Sequence, residues 1–190
     1  MKITSLLIIL LGLSAVSCSD NLSNSKAEKI ISKCLDQKPE QRNVSIPLRK
    51  KIYSEQSKKD LAKYQQLQED GYLDISPVEK EKTTNNDAFT AWRNQFDEYD
   101  IKITKKGEKY IDNAPENGDF VMMKTFRYEV DEVLEVQEIP AANSAKVKVQ
   151  YKAVDITPFA SLSSKDPSEY WVKTRTMKKT SNGWKFCDDY

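Results

Sequence analysis

The stretch KVKVQYKA, residues 146–153, has the clearest secondary-structure signal in this chain of 190 residues. Apolar side chains occupy every second position from Val147 to Ala153, and lysine or glutamine occupies the positions between them. A period of two is typical of a strand that buries one face. Similar alternation occurs on both sides of this stretch, and Asn182-Gly183 is typical of a tight hairpin. We therefore predict a C-terminal antiparallel meander of about four strands over residues 119–190.

The N-terminal part of the chain has helical periodicity instead. The segment SKAEKIISKCLD, residues 25–36, begins with a capping box and continues with apolar residues three or four positions apart. It predicts a first amphipathic helix, which ends before Pro39. A second helix is expected from Ser57 to a left-handed C-terminal cap at Gly71. Helices followed by a meander predict one α+β domain over residues 26–190.

Residues 54–112 are expected to form a helical lobe or insertion within that domain. The segments GYL, residues 71–73, and YDIKITKKGE, residues 99–108, follow a helix that includes Leu67. Together they weakly resemble the helix, wing and closing helix of winged-helix domains, which implies a shape for this lobe. The whole layout resembles cystatin-like or nuclear transport factor-like proteins in architecture, and such a likeness implies no activity.

The N-terminus has the parts of an export signal. Lys2 is followed by an apolar run at residues 6–13 and then by small residues. The run is shorter than the roughly 20 residues that span a bilayer. The segment AVSC, residues 15–18, with Leu13 upstream, resembles the lipobox of bacterial lipoproteins. The resemblance implies that residues 1–17 are a signal peptide and that Cys18 carries the lipid.

The lipobox resemblance also implies a location. In that family an aspartate directly after the lipidated cysteine retains some lipoproteins in the inner membrane, whereas here Ser19 follows Cys18. We therefore expect a cell-envelope protein anchored in the outer membrane, facing the periplasm or the cell surface, and a Gram-positive surface lipoprotein is the alternative. Residues 18–25 would be the tether. Several acyl chains, at about 0.8 kcal/mol per buried methylene, hold a domain to a membrane.

Two cysteines remain for a disulfide, Cys34 and Cys187. Exported proteins meet oxidising machinery, so we predict that they pair. Strand alternation from Trp184 to Phe186 would turn Cys187 to the opposite face, so pairing requires the strand to end before Cys187. Two buried free thiols are the alternative.

Composition excludes several classes of function. Thirty Lys+Arg balance 29 Asp+Glu, and without Lys2 of the leader the net charge is zero. Nucleic-acid-binding proteins normally carry a basic excess, so no nucleic-acid partner is expected. The chain has no histidine, which removes the commonest general base and metal ligand. Phosphate-loop and nucleophile motifs are also missing from the sequence. We therefore assign no catalytic residue, cofactor or metal.

Five basic residues of the meander are the remaining candidates for a site: Lys146, Lys148, Lys152, Lys173 and Arg175. One interpretation is a single basic sheet face that docks an acidic envelope protein, an anionic glycan or a lipid headgroup. The alternative is that these residues pair across strands with the acidic segment at residues 112–139 and set the register.

The sequence thus predicts a non-catalytic, lipid-anchored envelope protein that binds a protein or cell-wall partner. An inhibitor or immunity lipoprotein is one form of this expectation. The competing class is an envelope-polymer hydrolase that uses paired carboxylates. Two Asp or Glu side chains converging in a deep cleft would favour the hydrolase.

Overall fold

The computed structural model describes residues 21–52, 55–79, 96–115 and 118–187, which form a mixed α+β fold dominated by antiparallel sheet. The helices are α1 (Asn24–Gln37), α2 (Glu55–Glu69) and the single turn α3 (Lys105–Glu108). The strands are β1 (Glu40–Pro47), β2 (Arg49–Ile52), β3 (Leu73–Pro77), β4 (Asp97–Ile103), β5 (Ile111–Asn113), β6 (Phe120–Ile139), β7 (Ser144–Val154), β8 (Trp171–Thr180) and β9 (Gly183–Lys185). Short 3₁₀ turns lie at Pro140–Ala142 and Pro158–Leu162.

The large sheet contains the predicted meander. Its order is β1-β6-β7-β8-β9, and β5 also pairs with β6. The long strand β6 pairs with β1 near its start, Pro47 opposite Phe120, and with β7 towards its end. Two register irregularities in the β6–β7 pair allow this strand to bend. The predicted hairpin is present between β8 and β9, where Gly183 has a positive φ of 97° that favours glycine.

Helix α1 covers one face of the large sheet, and this face is called the inner face below. Ala27 and Ile31 of α1 are fully buried against β6, β7 and β8. The helix begins earlier than predicted, because its N-cap is Ser23, whose hydroxyl accepts a hydrogen bond from the amide of Lys26. Leu22 is also buried, so the expected tether at residues 18–25 already belongs to the folded domain from that residue on.

The lobe expected to be helical at residues 54–112 contains a small sheet as well as helix in its described part. Helix α2 packs on a three-stranded antiparallel sheet of order β2-β4-β3. The predicted left-handed cap of α2 is present, since Gly71 has a φ of 79°. A second core joins this lobe to the start of β6 and includes Leu67, Ile101, Met123 and Phe159.

The predicted leader and Cys18, the predicted site of lipid attachment, lie outside the described residues. No helix in the part of the chain that the structure describes has both the length and the apolar character needed to cross a bilayer.

Candidate cation and aromatic site

The five predicted docking residues do not share one face of the sheet. Residues directly opposite each other in an antiparallel pair point to the same side. Lys173 lies opposite Val149 and Arg175 opposite Val147, whereas Lys148 lies opposite the exposed Thr174. Lys173 and Arg175 are therefore on the inner face with the core. The prediction of a single basic face is wrong, because the register puts the basic positions of β7 and β8 out of phase.

The lysines of β7 lie on the face of the large sheet opposite to α1, called the outer face below, next to acidic residues of β6. Lys148 is opposite Glu135 and Lys152 is opposite Glu129. Lys152 Nζ is also 3.5 Å from a carboxylate oxygen of Asp131. Oppositely charged neighbours across strands stabilise one register over its alternatives. The positions of Lys148 and Lys152 therefore fit the interpretation in which they pair across strands and set the register. Lys146 lies on the same face, opposite Gln137 and Thr176.

The inner face brings three cations to one indole ring. Trp171, at the start of β8, has the Lys173 ammonium 4.8 Å from its ring centroid. The guanidinium of Arg175 is 5.5 Å from that centroid and the guanidinium of Arg42, from β1, is 5.4 Å from it. Distances below about 6 Å allow a cation–π attraction. The ring of Tyr128 packs against the indole, and the two ring centroids are 4.8 Å apart. We call Arg42, Trp171, Lys173 and Arg175 the cation cluster.

One carboxylate pairs with this cluster among the described residues. Glu40, the first residue of β1, contacts the guanidinium of Arg175 and lies 3.6 Å from Lys173 Nζ. Arg175 also donates from Nε to the hydroxyl of Tyr151 at 2.8 Å. Burial lowers the pKa of Arg175, because the folded protein replaces part of the water that solvates its charge. Burial also raises the pKa of Tyr151, so its hydroxyl stays protonated.

The cluster has more positive than negative charge. Arg42, Lys173 and Arg175 are three cations, and Glu40 is one anion, which leaves an excess of two positive charges. Arg42 Nε is buried and has no hydrogen-bond partner in the described part of the chain. A buried donor without a partner costs about 1–3 kcal/mol. The excess of positive charge therefore suits an anionic group that approaches the cluster from solvent at the exposed Lys173, while the buried Arg42 Nε itself lies out of reach of solvent.

Sequence reasoning missed Arg42, Glu40 and Trp171 as members of this site. Glu40 and Arg175 are 135 residues apart in the chain, so no local pattern connects them. The signal that was present is the alternation of Trp171, Lys173 and Arg175 at every second position of a predicted strand. That spacing places all three side chains on one face once the strand is accepted.

The second sheet has a groove lined by carboxylates. Its volume is about 680 Å³, and its walls include Arg49, Glu98, Asp100 and Asp119. Arg49 Nε is 3.0 Å from a carboxylate oxygen of Asp100 and 3.9 Å from one of Glu98. The hydrogen bond to Asp100 raises the pKa of Arg49. Asp100 and Glu98 are therefore ion-paired with an arginine. The described residues contain no group of three or more side chains arranged to hold a metal ion.

The two predicted disulfide partners are close together. Cys34 lies on the buried face of α1, and its Cα is 5.7 Å from that of Cys187, within the range of a disulfide. Strand β9 ends at Lys185, so the alternation that would turn Cys187 away no longer applies. The required early end of the strand is thus present.

In comparisons with known proteins, no family model, no curated protein and no solved structure matches this chain.

Proposed function

We propose that this protein is a non-catalytic binding module of the cell envelope, which recognises an anionic partner through the cation cluster. The observation that carries the proposal is the charge imbalance around Trp171, where three cations have one described carboxylate, Glu40. An anionic group on a partner would supply the missing counter-charge. It would also accept hydrogen bonds from guanidinium groups, which are among the stronger hydrogen bonds in proteins.

The cluster is accessible enough to meet such a partner. The side chain of Lys173 is 42% exposed, whereas that of Arg175 is only 14% exposed. One cation can therefore be reached from solvent and another is partly desolvated. A charge that is already partly desolvated loses less hydration when a ligand arrives, so it binds an anion more strongly than a free surface lysine does.

The proposed setting is the outer membrane of a bacterial envelope. The lipobox-like segment that ends at Cys18 supports it, because acyl chains on that residue would hold the domain at a membrane surface. The signal peptide would be residues 1–17. An anchored module of this kind has access to acidic envelope proteins and to anionic glycans, and an acidic toxin or lytic enzyme would make it an inhibitor or immunity lipoprotein.

A hydrolase is the second candidate, and it rests on the carboxylate groove. Glu98, Asp100 and Asp119 line one concavity, which could hold an extended polymer. A hydrolase needs carboxyl groups that are free to contact the substrate. Arg49 pairs with Asp100 at 3.0 Å and with Glu98 at 3.9 Å, so a substrate would have to compete with this arginine for both acids. Retention of polymer cleavage by Asp100→Asn and loss of it by Glu98→Gln would assign the chemistry to Glu98.

The proposed function is tested by binding to defined polymers. Polyglutamate, polygalacturonate and neutral dextran are immobilised, and retention of the protein is measured against salt concentration. We expect binding to at least one carboxylate polymer, weakened about tenfold by Lys173→Gln and by Arg42→Gln. Lys148→Gln is the matched control, because Lys148 lies on the outer face. Equal binding by all variants would refute the proposal, and so would the absence of binding to every acidic probe, polymer or peptide.

A further inference from the structure

The cation cluster lies beside an edge of β8 that no other described strand covers. Strand β7 pairs with β8 from Trp171 to Lys178, along one edge of β8. On the other edge β9 pairs only with Lys178–Thr180. Within the ranges that the structure describes, no strand pairs with that second edge between Trp171 and Met177. Alternate backbone amide and carbonyl groups of an edge strand point away from its neighbour and are free to pair with an added strand.

Exposed apolar side chains mark the same segment. Tyr170 is 61% exposed and Val172 is 44% exposed, and both belong to the few large apolar side chains of the described residues that remain open to solvent. Val172 lies opposite Gln150 and points to the outer face. The segment therefore offers cations on one face, an apolar side chain on the other face and, between them, backbone groups with which no described strand pairs.

We propose that the partner is an extended acidic peptide segment, which adds a strand to β8 between Trp171 and Arg175. Carboxylates at alternate positions of this segment lie opposite Lys173 and Arg175 on the inner face. The inference rests on the proposed function, because it names the chemical class that the cation cluster recognises. Strand addition of this kind obtains affinity from backbone hydrogen bonds and specificity from alternate side chains.

The spacing of the cations favours a peptide over a glycan. Lys173 and Arg175 are two residues apart on one strand, which corresponds to about 6.6 Å. An added strand has the same repeat, so acidic side chains at its alternate positions meet both cations. Side chains directly opposite on neighbouring strands lie about 4.5–5.5 Å apart at Cβ, within reach of an ion pair. A polysaccharide could use the same charges, but it would leave the backbone groups of the edge unpaired.

The test uses three synthetic peptides and the whole domain in solution. The first peptide carries glutamate at alternate positions between threonine and valine, and the second has the same composition with the glutamates adjacent. The third is the first with N-methyl groups on alternate amides, which removes hydrogen-bond donors and preserves charge. We expect the first peptide to bind at least fivefold more tightly than the second and the third. Lys173→Gln should weaken it about tenfold, and Lys148→Gln should leave it unchanged.

Different failures of this experiment have different meanings. Equal affinity for the N-methylated peptide would overturn strand addition. Binding to polygalacturonate through Lys173 and Arg42, with no binding to any peptide, would overturn the peptide inference and leave the proposed function intact. Absence of binding to every acidic probe would overturn both. Two aspartates, Asp188 and Asp189, follow Cys187 in the sequence. Peptide binding that appears only after both are replaced by asparagine would identify this C-terminal segment as the occupant, and would overturn an external partner.

Discussion

Arg175 donates a hydrogen bond from Nε to the hydroxyl of Tyr151 at 2.8 Å, and both side chains lie on the face of the large sheet that α1 covers. Tyr151 is fully buried, and the guanidinium of Arg175 lies 5.2 Å from its ring centroid. The arginine thus satisfies a polar group of the core at one end and pairs with Glu40 at the other. A residue of the proposed site is therefore also part of the fold.

Arg175→Ala should lower the free energy of unfolding by about 2–3 kcal/mol. The substitution leaves the buried hydroxyl of Tyr151 without this partner and removes the closest cation from Glu40. Urea unfolding measures the loss. Lys173→Ala is the control, because replacing that half-exposed side chain should lower the free energy of unfolding by less than about 1 kcal/mol. Losses of the same size in both variants would contradict a structural role specific to Arg175.

Lys148→Glu should destabilise the fold by about 0.5–1 kcal/mol without affecting binding of an anionic ligand. The new glutamate would lie opposite Glu135, where like charges repel across the strands. The double variant Lys148→Glu/Glu135→Lys restores opposite charges and should recover most of the loss. A double-mutant cycle in urea measures this coupling. Reduced binding by Lys148→Glu with unchanged stability would assign a docking role to the outer face instead.

The strands of the meander could be predicted, but which side chains of neighbouring strands share a face could not. Alternation in β7 identified its buried residues, and Asn182-Gly183 identified the hairpin to β9. Whether Lys173 shares a face with Lys148 depends on register, and a shift of one residue moves every side chain to the other face. Register is set by pairing with partners that are distant in sequence. The finding that Lys148 and Lys173 lie on opposite faces of the sheet therefore required the three-dimensional structure.

The contribution of Phe159 to the second core could not be predicted from the sequence. Phe159 lies in a segment without hydrophobic periodicity, yet it is fully buried. Its ring is 6.0 Å from that of Tyr72 and 5.8 Å from that of Tyr110. The hydroxyl of Thr157 accepts a hydrogen bond from the amide of Phe159 and holds the turn. A single anchor of this kind produces no repeating pattern, so hydrophobic periodicity could not detect it.

Gly107→Ala should destabilise the small lobe by about 1–3 kcal/mol. A Cβ at this buried position would lie 2.5 Å from the carbonyl oxygen of Tyr72 and 2.8 Å from Cγ2 of Ile103, so the neighbouring strands would have to shift. Lys105→Ala, in the same helical turn but exposed, is the control and should change stability by less than about 0.5 kcal/mol. Urea unfolding and amide exchange in β3 and β4 measure the effect. Wild-type exchange rates in Gly107→Ala would contradict the close packing.

Reduction of the predicted disulfide between Cys34 and Cys187 should lower the free energy of unfolding of the domain by about 2–4 kcal/mol. Cys34 and Cys187 lie at disulfide distance with a sequence separation of 153, and a link over such a long loop restricts the unfolded chain strongly. Intact mass under non-reducing conditions should be lower by two hydrogens, with one linked peptide that contains both cysteines. Cys34→Ser/Cys187→Ser should match the reduced wild type in stability. Alkylation of both thiols without prior reduction would show that the bond does not form.

Cys18→Ser should abolish lipid labelling and release the protein from the membrane. The prediction rests on the small residues that precede Cys18 and on the apolar run at residues 6–13. Only a thiol at this position could form the thioether of a lipoprotein, and loss of the acyl chains removes the main contribution to membrane affinity. Cells are grown with labelled palmitate, and the protein is recovered from membrane and soluble fractions. Cys187→Ser is the matched control, since it removes a different thiol and should retain both the label and the membrane location. Wild-type protein without label would refute the lipobox interpretation, and the proposed binding function would then have to be placed in another compartment.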